Sequence, residues 1–145
     1  MSSLPLHVDV WGGERGVIKI TLKPAEAFGW TEHGKIFPET ADWLKAYGER
    51  RKGVVPPLDF SDLSPFTIEV LEALKLIPMG KTLPYAEIAR RLNRPHAARA
   101  VGRACGANPL PLIIPCHRVI TSDGLLGGYA FGLEIKDKLL KHELI

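Results

Sequence analysis

Hydrophobic periodicity changes once along this 145-residue chain, and the change limits what it can fold into. From Val8 to Pro24 the period is two: Val8-Asp9-Val10-Trp11, a turn at Gly12-Gly13, then the β-branched run Val17-Ile18-Lys19-Ile20-Thr21-Leu22. That pattern predicts a β-hairpin and a small antiparallel sheet. Pro38-Glu39-Thr40 opens a helix, which Ala41, Leu44, Lys45 and Tyr47 continue as far as Gly48 or Gly53. Gly53-Val54-Val55-Pro56-Pro57 then breaks regular structure. It reads as a linker between an N-terminal β-rich lobe, residues 1–57, and a helical lobe, residues 58–145.

Beyond the linker the period is helical. Ser64 can cap and Pro65 suits a first turn, after which Phe66, Val70, Leu71, Leu74 and Ile77 recur at helical spacing up to Pro78. A short helix from Tyr85 to Leu92, a turn at Asn93-Arg94-Pro95 and an alanine-rich helix from His96 to Cys105 have the form of a helix-turn-helix, although helical hairpins also fill cores. The apolar run Leu110–Ile114, between two prolines, is too short for a helix and predicts buried extended chain. Gly124–Gly132 reads as a lid or wall loop. Leu133–Glu143 reads as a final helix with Ile135, Leu139 and Leu140 inward.

Composition narrows the function classes. The chain is 46% hydrophobic and 24% charged, an ordinary globular balance, with two cysteines that do not make a disulfide framework. A chain this long buries roughly 68–70% of its unfolded surface, enough for one core or two small lobes. The start Met1-Ser2-Ser3-Leu4-Pro5-Leu6-His7 lacks a signal-peptide pattern, and no run nears the ~18 apolar residues of a membrane span. The expectation is a cytoplasmic protein with reduced thiols and no membrane partner. Net charge is +3, but residues 79–118 carry seven basic groups against Glu87, leaving the remainder acidic. Such a run fits an anionic partner or merely a solvated face.

Chemistry concentrates at Ile114-Pro115-Cys116-His117-Arg118-Val119. A cysteine followed by His and Arg has neighbours that favour thiolate, the nucleophilic form. Adjacency is not contact, and an inert buried thiol fits the same residues. Cys105, within a helix among Ala104, Gly106 and Ala107, reads as structural. The two cysteines lack zinc-site spacing, and Gly124-Leu125-Leu126-Gly127-Gly128-Tyr129 does not link a strand to a helix as a nucleotide loop must. Neither metal nor cofactor is expected.

Tyr85, Ala97-Ala98-Arg99-Ala100-Val101-Gly102, Asn108-Pro109, Ile114–Val119, Gly128-Tyr129 and Lys138-Leu139-Leu140-Lys141-His142-Glu143 together resemble the O6-alkylguanine-DNA alkyltransferase family over roughly Ser64–Glu143. The resemblance implies an α/β (α+β) fold, with a ribonuclease H-like antiparallel lobe carrying one helix and a winged-helix-like helix-turn-helix lobe. It implies binding to duplex DNA through the minor groove, rotation of O6-alkylguanine (and O4-methylthymine) out of the stack, and stoichiometric, self-inactivating transfer of the alkyl group to Cys116.

In that scheme His117 is a water-relayed base, Glu143 orients it, and Asn108 braces the turn before the nucleophile. Arg99 fills the vacated stack and Tyr85 helps rotate the nucleotide, with Ala98, Ala100, Gly102 and Arg103 also on the DNA side. Tyr85, Pro111, Val119, Tyr129, Ala130 and Phe131 form the base pocket, Tyr129 donating to the leaving guanine oxygen. The expected assembly is a monomer, with cooperativity along DNA left open. Phe131 departs from the pattern and would narrow the pocket, Arg103 stands where a small residue is common, and no zinc ligands precede Cys105. Two other readings are a lesion-binding alkyltransferase-like protein without transfer, which lacks the cysteine, and a helix-turn-helix transcription factor, which leaves Pro115–Arg118 and Glu143 unexplained.

Overall fold

The computed structural model describes residues 4–144; the reading of Met1, Ser2 and Ser3 lies outside them. Strands β1 (Leu6–Gly13) and β2 (Gly16–Pro24) pair antiparallel, with Val8 opposite Leu22 and Val10 opposite Ile20. Alternation buries Leu6, Val8 and Val10 and turns His7, Asp9 and Trp11 outward. The reversal lies at Glu14-Arg15, one step beyond the expected Gly12-Gly13 turn, after a register shift at Trp11/Gly12. The glycines serve close approach instead: a Cβ on Gly12 would lie 2.0 Å from the carbonyl oxygen of Lys35, and one on Gly16, whose φ is +139°, would lie 2.3 Å from that of Pro57.

A third strand, β3 (Gly29–Gly34), was not expected from the sequence. It pairs parallel with β1 on the edge away from β2, so the sheet is mixed, in the order β2-β1-β3, rather than antiparallel throughout. Residues 25–28 carry the chain past the start of β1. The chain reverses between β2 and β3, so parallel strands arise without a crossover helix.

Helix α1 (Pro38–Gly48) begins at the expected proline and buries Trp43, Leu44 and Tyr47. The linker is stitched down: the Val17 amide donates to Pro57 O (2.9 Å) and the Asp59 amide to Val17 O (2.8 Å). Helix α2 (Pro65–Leu74) has the expected cap, Ser64 Oγ accepting from the Thr67 amide at 3.2 Å, but stops before Ile77, which is held by a turn onto Leu74. Helices α3 (Tyr85–Arg91) and α4 (Ala98–Gly106) follow, joined through Asn93 at φ +60°. Asparagine tolerates that left-handed conformation better than most residues.

The run Leu110–Ile114 is buried but not extended. It folds into turns, with Leu112 at φ +78° and the Ile114 amide donating to Leu110 O (3.0 Å). The cause is Asn108, whose Oδ1 accepts from the Leu110 amide (2.9 Å) and whose Nδ2 donates to Ile114 O (3.0 Å). A side chain satisfies the backbone groups that a sheet neighbour would otherwise take. A two-residue parallel pair, β4 (Leu83–Pro84) with β5 (Val119–Ile120), then brings the start of α3 beside the chain that follows Cys116.

Helix α5 (Leu133–Glu143) closes the fold. Ile135 and Leu139 point inward, Leu140 is half-buried, and Lys136 is fully buried. One apolar cluster runs from Leu6 and Leu44 through Leu71 and Ile88 to Leu110 and Leu139. Burying each such side chain contributes about 1.5–3 kcal/mol.

Candidate active site

Cys116 opens a single 3₁₀ turn, Cys116–Arg118, directly after Pro115. The turn separates the three side chains. Cys116 lines a cavity of about 380 Å³, whereas His117 and Arg118 point to the carboxylate of Glu143, at the end of α5. His117 Nε2 lies 2.6 Å from Glu143 Oε2, and Arg118 donates from Nε to Oε1 (2.8 Å) and from a terminal nitrogen to Oε2 (3.1 Å). Arg118 also donates to Ile77 O at 2.6 Å.

Burial acts to raise the Glu143 carboxyl, but the hydrogen bonds from His117 and Arg118 and the charge of Arg118 outweigh it and hold the group down at about 2. Burial lowers His117, against the pull of Glu143, so the imidazole rests neutral. Facing an ionised carboxylate, its Nε2 carries the proton and donates. Nδ1 keeps the lone pair, and it is buried with no hydrogen-bond partner among the described residues. This is the polarity of a general base oriented by an acid.

The thiol differs from the expectation drawn from its neighbours in sequence. Burial pushes Cys116 up, only partly offset by the Asn108 hydrogen bond and the charge of Lys136. Arg118 is committed to Glu143, so the resting group is a thiol and the thiolate must be made by a base. Cys105 shares the cavity, which the sequence did not suggest, and burial pushes it up to about 12, so it too rests as a thiol.

One wall of the cavity is the face of α4, Gly102, Cys105 and Gly106; the other is loop residues 127–130, with Tyr85 and Thr121 between them. Tyr129 and Ala130 stand where expected. Pro111, Val119 and Phe131 do not line the cavity: Pro111 and Val119 are buried, and Phe131 packs edge-on against Tyr129, centroids 5.9 Å apart. The Tyr129 hydroxyl is a buried polar atom without a partner among the described residues. Gly127, at φ +73°, lets the loop pass Tyr85, whose hydroxyl would sit 3.1 Å from an added Cβ.

Arg99 and Arg103 are exposed and four residues apart, hence on one face of α4. Arg99, Ala98 and Gly102 border a second, open cavity of about 320 Å³ beside Tyr85, Thr121 and Ser122; Ala100 is half-buried on the same helix. The basic excess of residues 79–118 is not all available to a partner. Arg90 and Arg91 pair with Glu87, Arg94 with Glu69 and Arg118 with Glu143. Lys81, Arg99 and Arg103 form no ion pair among the described residues.

Two further contributors carry no motif. Tyr47, from α1, donates to Glu143 Oε2 at 2.6 Å, while His142 Nε2 donates to Tyr47 O at 2.8 Å, so the N-terminal part of the chain reaches the carboxylate. Lys136 sits behind the pocket wall. Its spacing of seven residues from Glu143, two helical turns, was the available signal. Among the described residues no cluster of metal-binding side chains occurs, and no helix is long and apolar enough to cross a membrane.

The chain is similar to several known proteins. A family model described as 6-O-methylguanine DNA methyltransferase, DNA binding domain, matches residues 65–145. A methylated-DNA–protein-cysteine methyltransferase of Methanosarcina barkeri is 48% identical over 141 residues, covering 94% of this chain and 82% of that protein. One from Salmonella typhimurium is 52% identical over 80 residues, 55% of this chain; the match spans about half, 47%, of the Salmonella protein. The crystal structure of Mycobacterium tuberculosis OGT in complex with DNA superposes with a TM-score of 0.77 at 34% identity, covering 95% of this chain and 92% of that one.

Proposed function

Since the chain belongs to the 6-O-methylguanine DNA methyltransferase family, we propose that it repairs O6-alkylguanine in duplex DNA by moving the alkyl group irreversibly to Cys116. The observation that carries this reading is the Cys116 cavity backed by a neutral, oriented His117 whose Nδ1 is free to accept a proton. The Cys116 proton passes through water to Nδ1, and the imidazolium is stabilised by Glu143 across the 2.6 Å contact. Sulfur attacks the alkyl carbon in line, the carbon–oxygen bond breaks, and its electron pair leaves on the guanine oxygen. The unpartnered Tyr129 hydroxyl donates to that oxygen as charge develops. The proton first taken from the thiol returns to guanine, and Cys116 remains as a thioether.

A base in a duplex cannot reach a cavity of this kind while stacked, so the nucleotide must rotate out. Arg99, exposed beside the open cavity, occupies the vacated stack from the minor groove; Tyr85 guides the rotating nucleotide; Arg103 binds phosphate. Thymine alkylated at O4 presents the same leaving oxygen and is the second expected substrate. The protein acts without cofactor, as a monomer, in a compartment that keeps Cys105 and Cys116 reduced.

The test mixes protein with an equimolar O6-methylguanine duplex and locates the product by peptide mass. One methyl group on the Cys116 peptide and an equal loss from DNA are expected, while Cys116→Ser binds the lesion and transfers nothing. Lesion binding with the methyl group left on DNA, or an adduct on Cys105, overturns the reading.

A further inference from the structure

Lys136 is fully buried, and none of the ion pairs among the described residues includes it. Its ammonium donates to Val119 O at 2.7 Å, to Gly128 O at 3.2 Å and to Leu126 O. Three donors meet three carbonyls, so the group is satisfied. Burying an ammonium without a carboxylate is costly all the same, and burial acts to lower its pKa. The acceptors divide in a telling way: Val119 lies just beyond the turn that carries Cys116, whereas Leu126 and Gly128 belong to the loop forming the far wall of the cavity. The loop residue between those two, Gly127, passes Tyr85 so closely that an added Cβ would lie 3.1 Å from its hydroxyl, and the same ammonium lies 6.0 Å from the Tyr85 ring centroid.

We propose that Lys136 is a positioning residue for the transfer: its ammonium fastens the chain beside the nucleophile to the loop opposite, and so sets the width of the alkyl pocket and the seat of the base. This rests on the alkyl-transfer reading above. Helix α5 then has two tasks on one face, since Lys136 fixes the pocket and Glu143, two turns on, orients His117. The titratable groups facing Lys136 are Cys116 and His117 from the 3₁₀ turn, Cys105 from α4 and Tyr85 from α3. Its charge therefore also favours the Cys116 thiolate once that forms. A filler lysine needs none of this. An apolar side chain of equal length would pack as well and leave the three carbonyls without a common anchor.

The experiment compares the full-length wild type with Lys136→Met and Lys136→Arg in single-turnover transfer from an O6-methylguanine duplex, separating the saturating rate from the half-saturating concentration. It also measures alkylation of Cys116 by iodoacetamide across pH. Lys136→Met should lose about tenfold or more in saturating rate, as displaced reacting groups do. Its affinity for undamaged duplex should not change, and its iodoacetamide profile should move up by about one pH unit. Lys136→Arg, which keeps the charge with a different reach, should restore the pH profile more fully than the transfer rate.

Unchanged profiles, or losses that only track the folded fraction, overturn the proposal. In the wild type, the ¹⁵N resonance of the Lys136 ammonium should shift when iodoacetamide modifies Cys116, because filling the cavity disturbs the wall this nitrogen holds. A fixed resonance overturns the proposal even if neither variant folds. A wild type that transfers no methyl group counts instead against the alkyl-transfer reading itself.

Discussion

Glu143 receives Tyr47, His117 and Arg118 at once, and the charges around it fix the acid response of the protein. The carboxyl is depressed from its ordinary 4.5 to about 2, so its stabilisation is complete above pH 4.5 and disappears as pH falls toward 2. His117 is also lowered from its ordinary 6.5; below that pH the unfolded chain takes up a proton that the fold resists, so stability begins to fall there. Urea midpoints measured against pH should stay level from 6.5 to about 8, short of the thiols' ordinary 9.0, and decline in two stages beneath 6.5, with the upper stage missing in His117→Asn. Tyr47→Phe keeps the ring stacked on Trp43, centroids 5.3 Å apart, but removes a hydrogen bond to a charged group. It should cost about 1.5–3 kcal/mol in urea denaturation and slow transfer from the same duplex. Cys116, His117 and Glu143 were legible in the sequence because their motifs are local. Tyr47 and Lys136 were not, because each belongs to no local motif and its partner is supplied only by the fold.

Among the elements, α4 divides its residues between two tasks. Val101, Ala104 and Cys105 are buried, while Arg99 and Arg103 stay free on the outside. Each phosphate contact contributes a slope of about −0.9 to log K against log salt, so Arg103→Ala should flatten the salt dependence of duplex binding by about that amount. Arg99→Ala should instead reduce repair of duplex far more than transfer from free O6-benzylguanine, which needs no extrusion; equal losses on both substrates would remove the extrusion role. The helix-turn-helix was readable because two runs of helical periodicity meet at the turn-forming Asn93-Arg94-Pro95. Two other segments were not. Leu110–Ile114 has the apolar content of a strand, but the side chain of Asn108 satisfies its backbone groups and coils it. Gly29–Gly34 has too little apolar alternation to mark a strand, and it becomes one because the free edge of β1 offers hydrogen-bonding partners.

At the scale of the molecule, the linker at 53–57 suggests two separable lobes, yet the chain is joined across it in several ways. The Ile20 amide donates to Pro109 O (2.8 Å), Arg50 Nε donates to His142 O (2.7 Å), and one apolar cluster includes Leu44 and Leu139. These contacts bind the sheet to the turn that precedes Cys116, and α1 to the helix that carries Glu143. Unfolding should therefore be a single transition. The sequence supplies two independent reporters, because all three tryptophans, Trp11, Trp30 and Trp43, precede the linker, whereas both thiols follow it. Tryptophan fluorescence and the reaction of Cys105 and Cys116 with a thiol reagent should give the same urea midpoint. Leu44→Ala, a fully buried truncation before the linker, should move both midpoints together, at a cost of about 2–5 kcal/mol. Thiols that stay protected after the fluorescence has changed would show that the half carrying Cys116 stands alone.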